Sequence, residues 1–282
     1  VIFSMELQDE KKIELEEKDE DEENSLYHFF VCEEYVEKTW NFQTVPQQTL
    51  LCSKMSTTDH DLTGQIVWPA SVILAWFIDK NHEIFENKLV LELGAGCGLG
   101  GLLASHFASS TILTDGNDIV LRLLEKNKQH LQLNNCSVDK LLWGINSEVM
   151  KIQSKYQQFP DYIIGADIIL WPNQLKSLLC TIRWLLFGRY YELLEANTTV
   201  SFIPKAFISY VVRANTTSDL LFSLIDSMGF VIHAVDNSSF IPSDCKTFDH
   251  MTFHLFEVSL SEETLLKGCD IANEKQHDLE EQ

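Results

Sequence analysis

No two of the seven cysteines form a CxxC pair, and their odd number argues against a disulfide framework. Cys32, Cys52, Cys97, Cys136, Cys180, Cys245 and Cys269 are expected as reduced thiols, which points to the cytoplasm, with the nucleus also open. Long apolar runs are missing too. The longest, Ile66 to Ile78, is about 13 residues and contains Pro69 and Ser71, too short to span a bilayer. No basic segment followed by an apolar core and a small-residue cleavage site opens the sequence, so secretion is not indicated. The first residue is Val1 rather than Met, which leaves a preceding leader open. Basic residues are scarce: 21 Lys+Arg face 42 Asp+Glu, a net charge of −21. Without clustered cations, neither a nucleic acid nor a membrane is an expected partner. The sequence carries no G-x-S-x-G elbow, Walker loop or H-E-x-x-H, which disfavours serine hydrolases, P-loop NTPases and zincins.

What remains is a chain of 282 residues, 45% of them apolar, enough for one large or two small domains. The acidity gathers at the ends, with 11 acids against 3 bases in residues 1–23 and 7 against 2 in 261–282. The expected organisation is an acidic disordered head over 1–25, a globular domain over 26–260 and an acidic disordered tail over 261–282. A monomer is expected. Its acidic surface suits a Lys-rich protein partner by charge complementarity.

Strand patterns fall at Tyr27–Cys32, Tyr35–Phe42, Lys88–Leu93, Thr111–Thr114, Val138–Trp143, Tyr162–Ile164, Ala206–Val212, Phe230–Val235 and Met251–Val258. Thr57–Gly64 reads as a polar loop. Helical spacing follows Pro69 and recurs at Leu102–Phe107, after the capping pair Asn117 and Asp118, at Pro172–Phe187 and at Ser218–Met228. Strand–helix alternation of this kind predicts an α/β fold: a doubly wound, Rossmann-like parallel sheet with helices on both faces.

The densest signal is a buried strand running into Gly94, Gly96, Gly98, Gly100 and Gly101. Glycines are required where backbone turns sharply and comes close to a ligand. Gly96 to Gly101 satisfies G-x-G-x-x-G, the dinucleotide pattern, but that pattern should begin where the strand ends. Starting at Gly94 puts Leu99 where its third glycine belongs. Glu92, two residues before the turn, suits a ligand with a cationic ammonium better than a pyrophosphate. His250 and His254 share one strand face without a third ligand nearby in sequence, so no metal is expected.

Glu92-Leu-Gly-Ala-Gly-Cys-Gly98 resembles the first motif of class I S-adenosylmethionine-dependent methyltransferases, and Ile112-Leu-Thr-Asp-Gly116 resembles their next strand. Gly64-Gln-Ile-Val-Trp-Pro69, Leu142-Trp-Gly144 and Ile164-Gly-Ala-Asp-Ile-Ile169 occur in the order seen in the eukaryotic methyltransferase-like protein-lysine methyltransferases, the seven-strand family 16 group. The resemblance covers roughly residues 60–258. It implies a seven-strand sheet, S-adenosyl-L-methionine as cofactor and methylation of lysine in a protein substrate. It also implies that Trp68 and Glu92 belong to the cofactor pocket and that Gly94, Ala95 and Gly96 line the methionine part. Asp115 would hold the ribose and Trp143 the adenine, with Ala166 and Asp167 closing the pocket and Asp167 orienting the acceptor amine. The group's aromatic three residues after the acid is displaced here: Leu170 fills that slot and Trp171 follows. On an extended segment this turns Leu170 toward the methyl side and Trp171 elsewhere on the rim. A methyltransferase for a small molecule or another side chain, and a non-catalytic cofactor-binding interaction protein, stay open as alternatives.

Overall fold

The computed structural model describes residues 34–54, 63–196, 202–242 and 250–267. The chain enters through an antiparallel hairpin, β1 (Tyr35–Trp40) and β2 (Gln48–Ser53), which forms its own two-stranded sheet. Helix α1 (Pro69–Lys80) follows, with Pro69 at a first-turn position where its missing N–H removes no bond. Then come β3 (Leu89–Leu93), α2 (Leu99–Ala104), β4 (Ser110–Asp115), α3 (Asp118–His130), β5 (Cys136–Lys140), α4 (Asn146–Tyr156) and β6 (Tyr162–Ala166). The second half holds α5 (Leu175–Glu195), β7 (Lys205–Val211), α6 (Asn215–Ser227), β8 (Phe230–Ala234), β9 (Phe253–Leu260) and α7 (Glu262–Lys267).

Seven strands form one sheet in the order β5-β4-β3-β6-β7-β9-β8. From β3 the chain steps outward to β4 and β5, then returns to place β6 on the other side of β3. This reversal opens a crevice at the strands' carboxyl ends, where ligands of open α/β sheets bind. Helices cover both faces. Ile73, Phe77, Leu102 and Leu123 from α1, α2 and α3 pack on one side, and Val149, Leu178, Ile182 and Leu221 from α4, α5 and α6 on the other. Phe77 stands at 4.9 Å from the Phe207 ring of β7 and 5.6 Å from Phe240. Burying a side chain of that size contributes about 1.5–3 kcal/mol.

The α/β architecture matches the sequence reading, with corrections. The sheet is mixed, because β9 runs antiparallel to both β7 and β8. The helix expected from Leu102 begins at Leu99 and stops at Ala104, and the strand expected over Val138–Trp143 is Cys136–Lys140. Residues 262–267, expected within the tail, form α7 instead: Leu265 is buried in the second core and Thr264 Oγ1 donates to Gly229 O at 3.0 Å. Glu262 and Glu263 in its first turn complement the helix dipole. The expected head, the rest of the tail, the strand at Tyr27–Cys32 and most of the Thr57–Gly64 loop lie outside the described residues.

Candidate functional site

The site grows from the end of β3. Gly94 and Gly96 sit at φ +58° and +55°, in the left-handed region that glycine adopts without strain. Space is short there as well. A Cβ on Gly94 would lie 2.8 Å from Ile168 Cγ2 and 3.2 Å from Trp143 Cζ2, and one on Gly96 would lie 3.0 Å from Gly64 O. The sequence thus lets the loop press against the walls of a cleft.

Glu92 does not line that cleft, contrary to expectation. Its carboxylate turns beneath the loop and accepts the Gly101 N–H at 2.9 Å. A Cβ on Gly100 would approach Glu92 Oε1 to 2.8 Å and Leu74 Cδ2 to 3.0 Å, so the two glycines and Leu74 close over the acid. Burial pushes its pKa up to about 8; the Gly101 N–H pulls it down and the charge of Asp115 adds to the rise. Glu92 is a buttress of the α2 amino terminus, out of a ligand's reach.

The other expected residues, Trp68, Gly94, Ala95, Gly96, Asp115, Trp143, Ala166 and Asp167, all line one cleft of about 450 Å³. Asp115 closes β4 and accepts N–H bonds from Asn117 at 3.0 Å and Gly96 at 3.2 Å. Burial raises its pKa against the pull of these donors. Asn117 caps α3 through Ile119 N–H at 2.8 Å, which fixes the turn carrying Asp115. Leu142 lies over this end, 3.3 Å from a Cβ placed on Gly116, while Trp143 packs on Gly94. Trp68, just before α1, is held by its indole N–H, which donates to Thr63 O at 2.8 Å.

On the far side of β3, Asp167 follows β6 with φ +60°. Arg213, just beyond β7, grips both carboxylate oxygens: Nη1 donates to Oδ1 at 2.5 Å and Nη2 to Oδ2. Nη1 also donates to Val211 O at 3.3 Å, and the guanidinium lies 5.7 Å from the Trp68 ring centroid. The Asp167 contact holds the Arg213 pKa above its ordinary value. Asp167 is therefore at the cleft, as expected, but already engaged. Trp171 keeps the extended backbone, at φ −108° and ψ 113°, that the alternation argument for Leu170 and Trp171 assumed. Both residues line the cleft, and Trp171 is 37% exposed.

Sequence reasoning missed Arg213, Leu142 and Ile168. Arg213 had a findable signal, a lone cation directly after the strand following β6; Leu142 and Ile168 lay inside motifs that were read only for their neighbours.

A glycine turn after the first parallel strand, an acid closing the next and a cleft at the switch point define a class I, Rossmann-like methyltransferase. The lysine methyltransferase family model matches residues 47–201, more than half of the chain, and the chain belongs to that family. Among its relatives, histone-arginine methyltransferase METTL23 of Mus musculus is 31% identical over 147 residues, covering 51% of this chain and 53% of that protein. EEF1A lysine methyltransferase 3 of Xenopus tropicalis is 27% identical over 164 residues, covering 55% and 70% respectively. Protein N-lysine methyltransferase METTL21A of Danio rerio is 30% identical over 135 residues, covering 47% and 60%. The chain spans about half to two thirds of the METTL23 sequences it matches.

S-adenosylmethionine is the cofactor of this class, and the donor set fits it. The cleft volume lies within the roughly 300–1,000 Å³ of small-ligand sites. Asp115 retains lone pairs for ribose hydroxyls, Trp143 and Leu142 supply apolar walls, and Asp167 stands at the opposite end.

Proposed function

We propose that this protein transfers a methyl group to a lysine side chain of a protein substrate. Its cofactor supplies an electrophilic methyl on a sulfonium. The observation that carries the reading is the family match over residues 47–201, which overlies the strand-end cleft containing Gly94, Gly96 and Asp115.

In this reading the chain's own work is alignment. The loop from Gly94 to Gly98 and the Asp115 carboxylate orient the cofactor, and the Leu170–Trp171 rim guides the acceptor to the cleft's β6 end. A lysine must lose its ammonium proton before attack, because the protonated form has no lone pair. That proton passes to water or to a nearby acid. Arginine is the competing acceptor, favoured by the METTL23 relatives. The net charge of −21 supports a Lys-rich partner. The reduced thiols of Cys52, Cys97 and Cys136 support a reducing setting, cytoplasm or nucleus.

The test is incubation with tritiated S-adenosylmethionine and cell-extract protein, followed by acid hydrolysis and amino-acid analysis. Label in methyl-lysine is the expected result. Label in methyl-arginine would move the acceptor, and label confined to small molecules would overturn the protein-substrate reading.

A further inference from the structure

The inference rests on S-adenosylmethionine as the cofactor and concerns how its amino-acid end is held. That end is a zwitterion, and an ammonium withdrawn from water needs an anionic partner. Among the described residues lining the cleft, the carboxylates are those of Asp115 and Asp167. Glu92, the partner expected from sequence, is closed off beneath Gly100 and Gly101.

The sheet separates the two remaining acids. Asp115 ends β4 and Asp167 follows β6, and these strands flank β3 on opposite sides. Two strand spacings set their backbones about 10 Å apart. A cofactor whose ribose sits on Asp115 therefore extends its other end across the Gly94–Gly96 turn toward Asp167. The Asp167 side chain is only 6% exposed, and an isolated carboxylate buried so far would be costly. Arg213 removes that cost from outside the cleft, gripping both oxygens in the planar fork geometry that lysine cannot reproduce. Each carboxylate oxygen accepts more than one hydrogen bond, so the pairing leaves acceptor positions available. The Trp68 face fixes the guanidinium plane in turn.

We propose that Asp167 is the counter-ion of the cofactor's α-ammonium and that Arg213 is the positioning residue that aims it. The Asp167–Arg213 pair thus reads the amino-acid half of the ligand, while Asp115 reads the adenosine half.

Two ligands separate these halves: S-adenosylhomocysteine, which carries the amino acid, and 5′-methylthioadenosine, which lacks it. Calorimetric titration of the full chain with both gives the test. Asp167→Asn should weaken S-adenosylhomocysteine about tenfold to a hundredfold, the range for a hydrogen bond to a charged group, and leave methylthioadenosine within about twofold. Arg213→Gln should give a smaller loss confined to the same ligand. The double variant should bind no more weakly than Asp167→Asn alone, because Arg213 acts through Asp167. Arg213→Lys should restore part of the loss. Retained methylthioadenosine binding also shows that a variant is folded. If Asp167→Asn binds S-adenosylhomocysteine as the wild type does, or weakens both ligands alike, the inference is overturned while the cofactor reading stands. A wild-type chain that binds neither ligand overturns both.

Discussion

The Glu92 carboxylate accepts the Gly101 N–H at 2.9 Å inside a fully buried pocket, and burial pushes its pKa up to about 8. In the unfolded chain the same group titrates near 4.5. Between these values the folded protein keeps a proton that the unfolded chain has released, so stability falls as pH rises through the window and levels off above it. Glu92→Gln keeps an acceptor for Gly101 and removes the titration. Its stability relative to wild type should grow from pH 5 to pH 8 in denaturant melts. A difference that does not change with pH would mean Glu92 ionises like a solvent-exposed acid.

Gly101 is the reciprocal test of the same contact. A Cβ there would lie 2.1 Å from Leu113 Cδ2 and 2.6 Å from Glu92 Oε2. Gly101→Ala should destabilise the fold by about 1–3 kcal/mol, the usual cost of overpacking, read as a lower denaturation midpoint. An unchanged midpoint would mean that the strand and helix separate easily.

Asp115→Ala should cost about 1.5–3 kcal/mol of S-adenosylhomocysteine affinity, the worth of hydrogen bonds to a charged acceptor. Gly96 and Asn117 donate to different Asp115 oxygens, so Asp115→Asn preserves an acceptor for one of the two amides and should lose less. Calorimetry on the two variants decides; binding within twofold of wild type in Asp115→Ala would reduce the residue to a turn former.

Asn127 is wholly buried and joins the entry hairpin to the glycine loop. Its Oδ1 accepts Leu51 N–H at 2.7 Å, and its Nδ2 donates to Leu51 O and Cys97 O, each at 3.0 Å. Asn127→Leu leaves three backbone groups without partners. At roughly 1–3 kcal/mol per stranded group, partly relieved by relaxation, the expected loss is about 2–4 kcal/mol. Hydrogen exchange at the Leu51 amide should accelerate with it. Unchanged exchange would show the hairpin is held by its apolar contacts alone.

Much of the site was legible because it is local: Gly94, Gly96 and Asp115 lie in contiguous strand-to-loop segments whose glycines and terminal acid are visible in the chain. What escaped was non-local or lacked contrast. All five residues of β3 are buried, so no polar–apolar alternation reveals which face Glu92 takes. Asp167 and Arg213 are 46 residues apart and meet only because β6 and β7 are neighbours. Helix α4 went unread because only Val149 and Ile152 of its 11 residues are buried, too sparse a stripe for a periodicity. β2 hid its strand character behind a buried polar residue at each end, Gln48 and Ser53. The helix after the loop was expected three residues late since Gly100 and Gly101 read as loop, whereas contact with Glu92 and Leu113 demands glycine inside α2.

β9 is threaded between β7 and β8, although it is the last of the three to be synthesised. A nascent chain therefore exposes β7 with one bare edge, and β8 does not cover it, since among the described residues β8 bonds only to β9. Phe207 and Ile208, buried in the finished sheet, flank that edge for as long as it waits. A premature stop between Val211 and Phe253 would leave the cleft-forming strands β3, β4 and β6 encoded in full, yet release them as part of a sheet with a sticky margin. Such truncations should be lost to aggregation or proteolysis before any defect in methyl transfer could be observed.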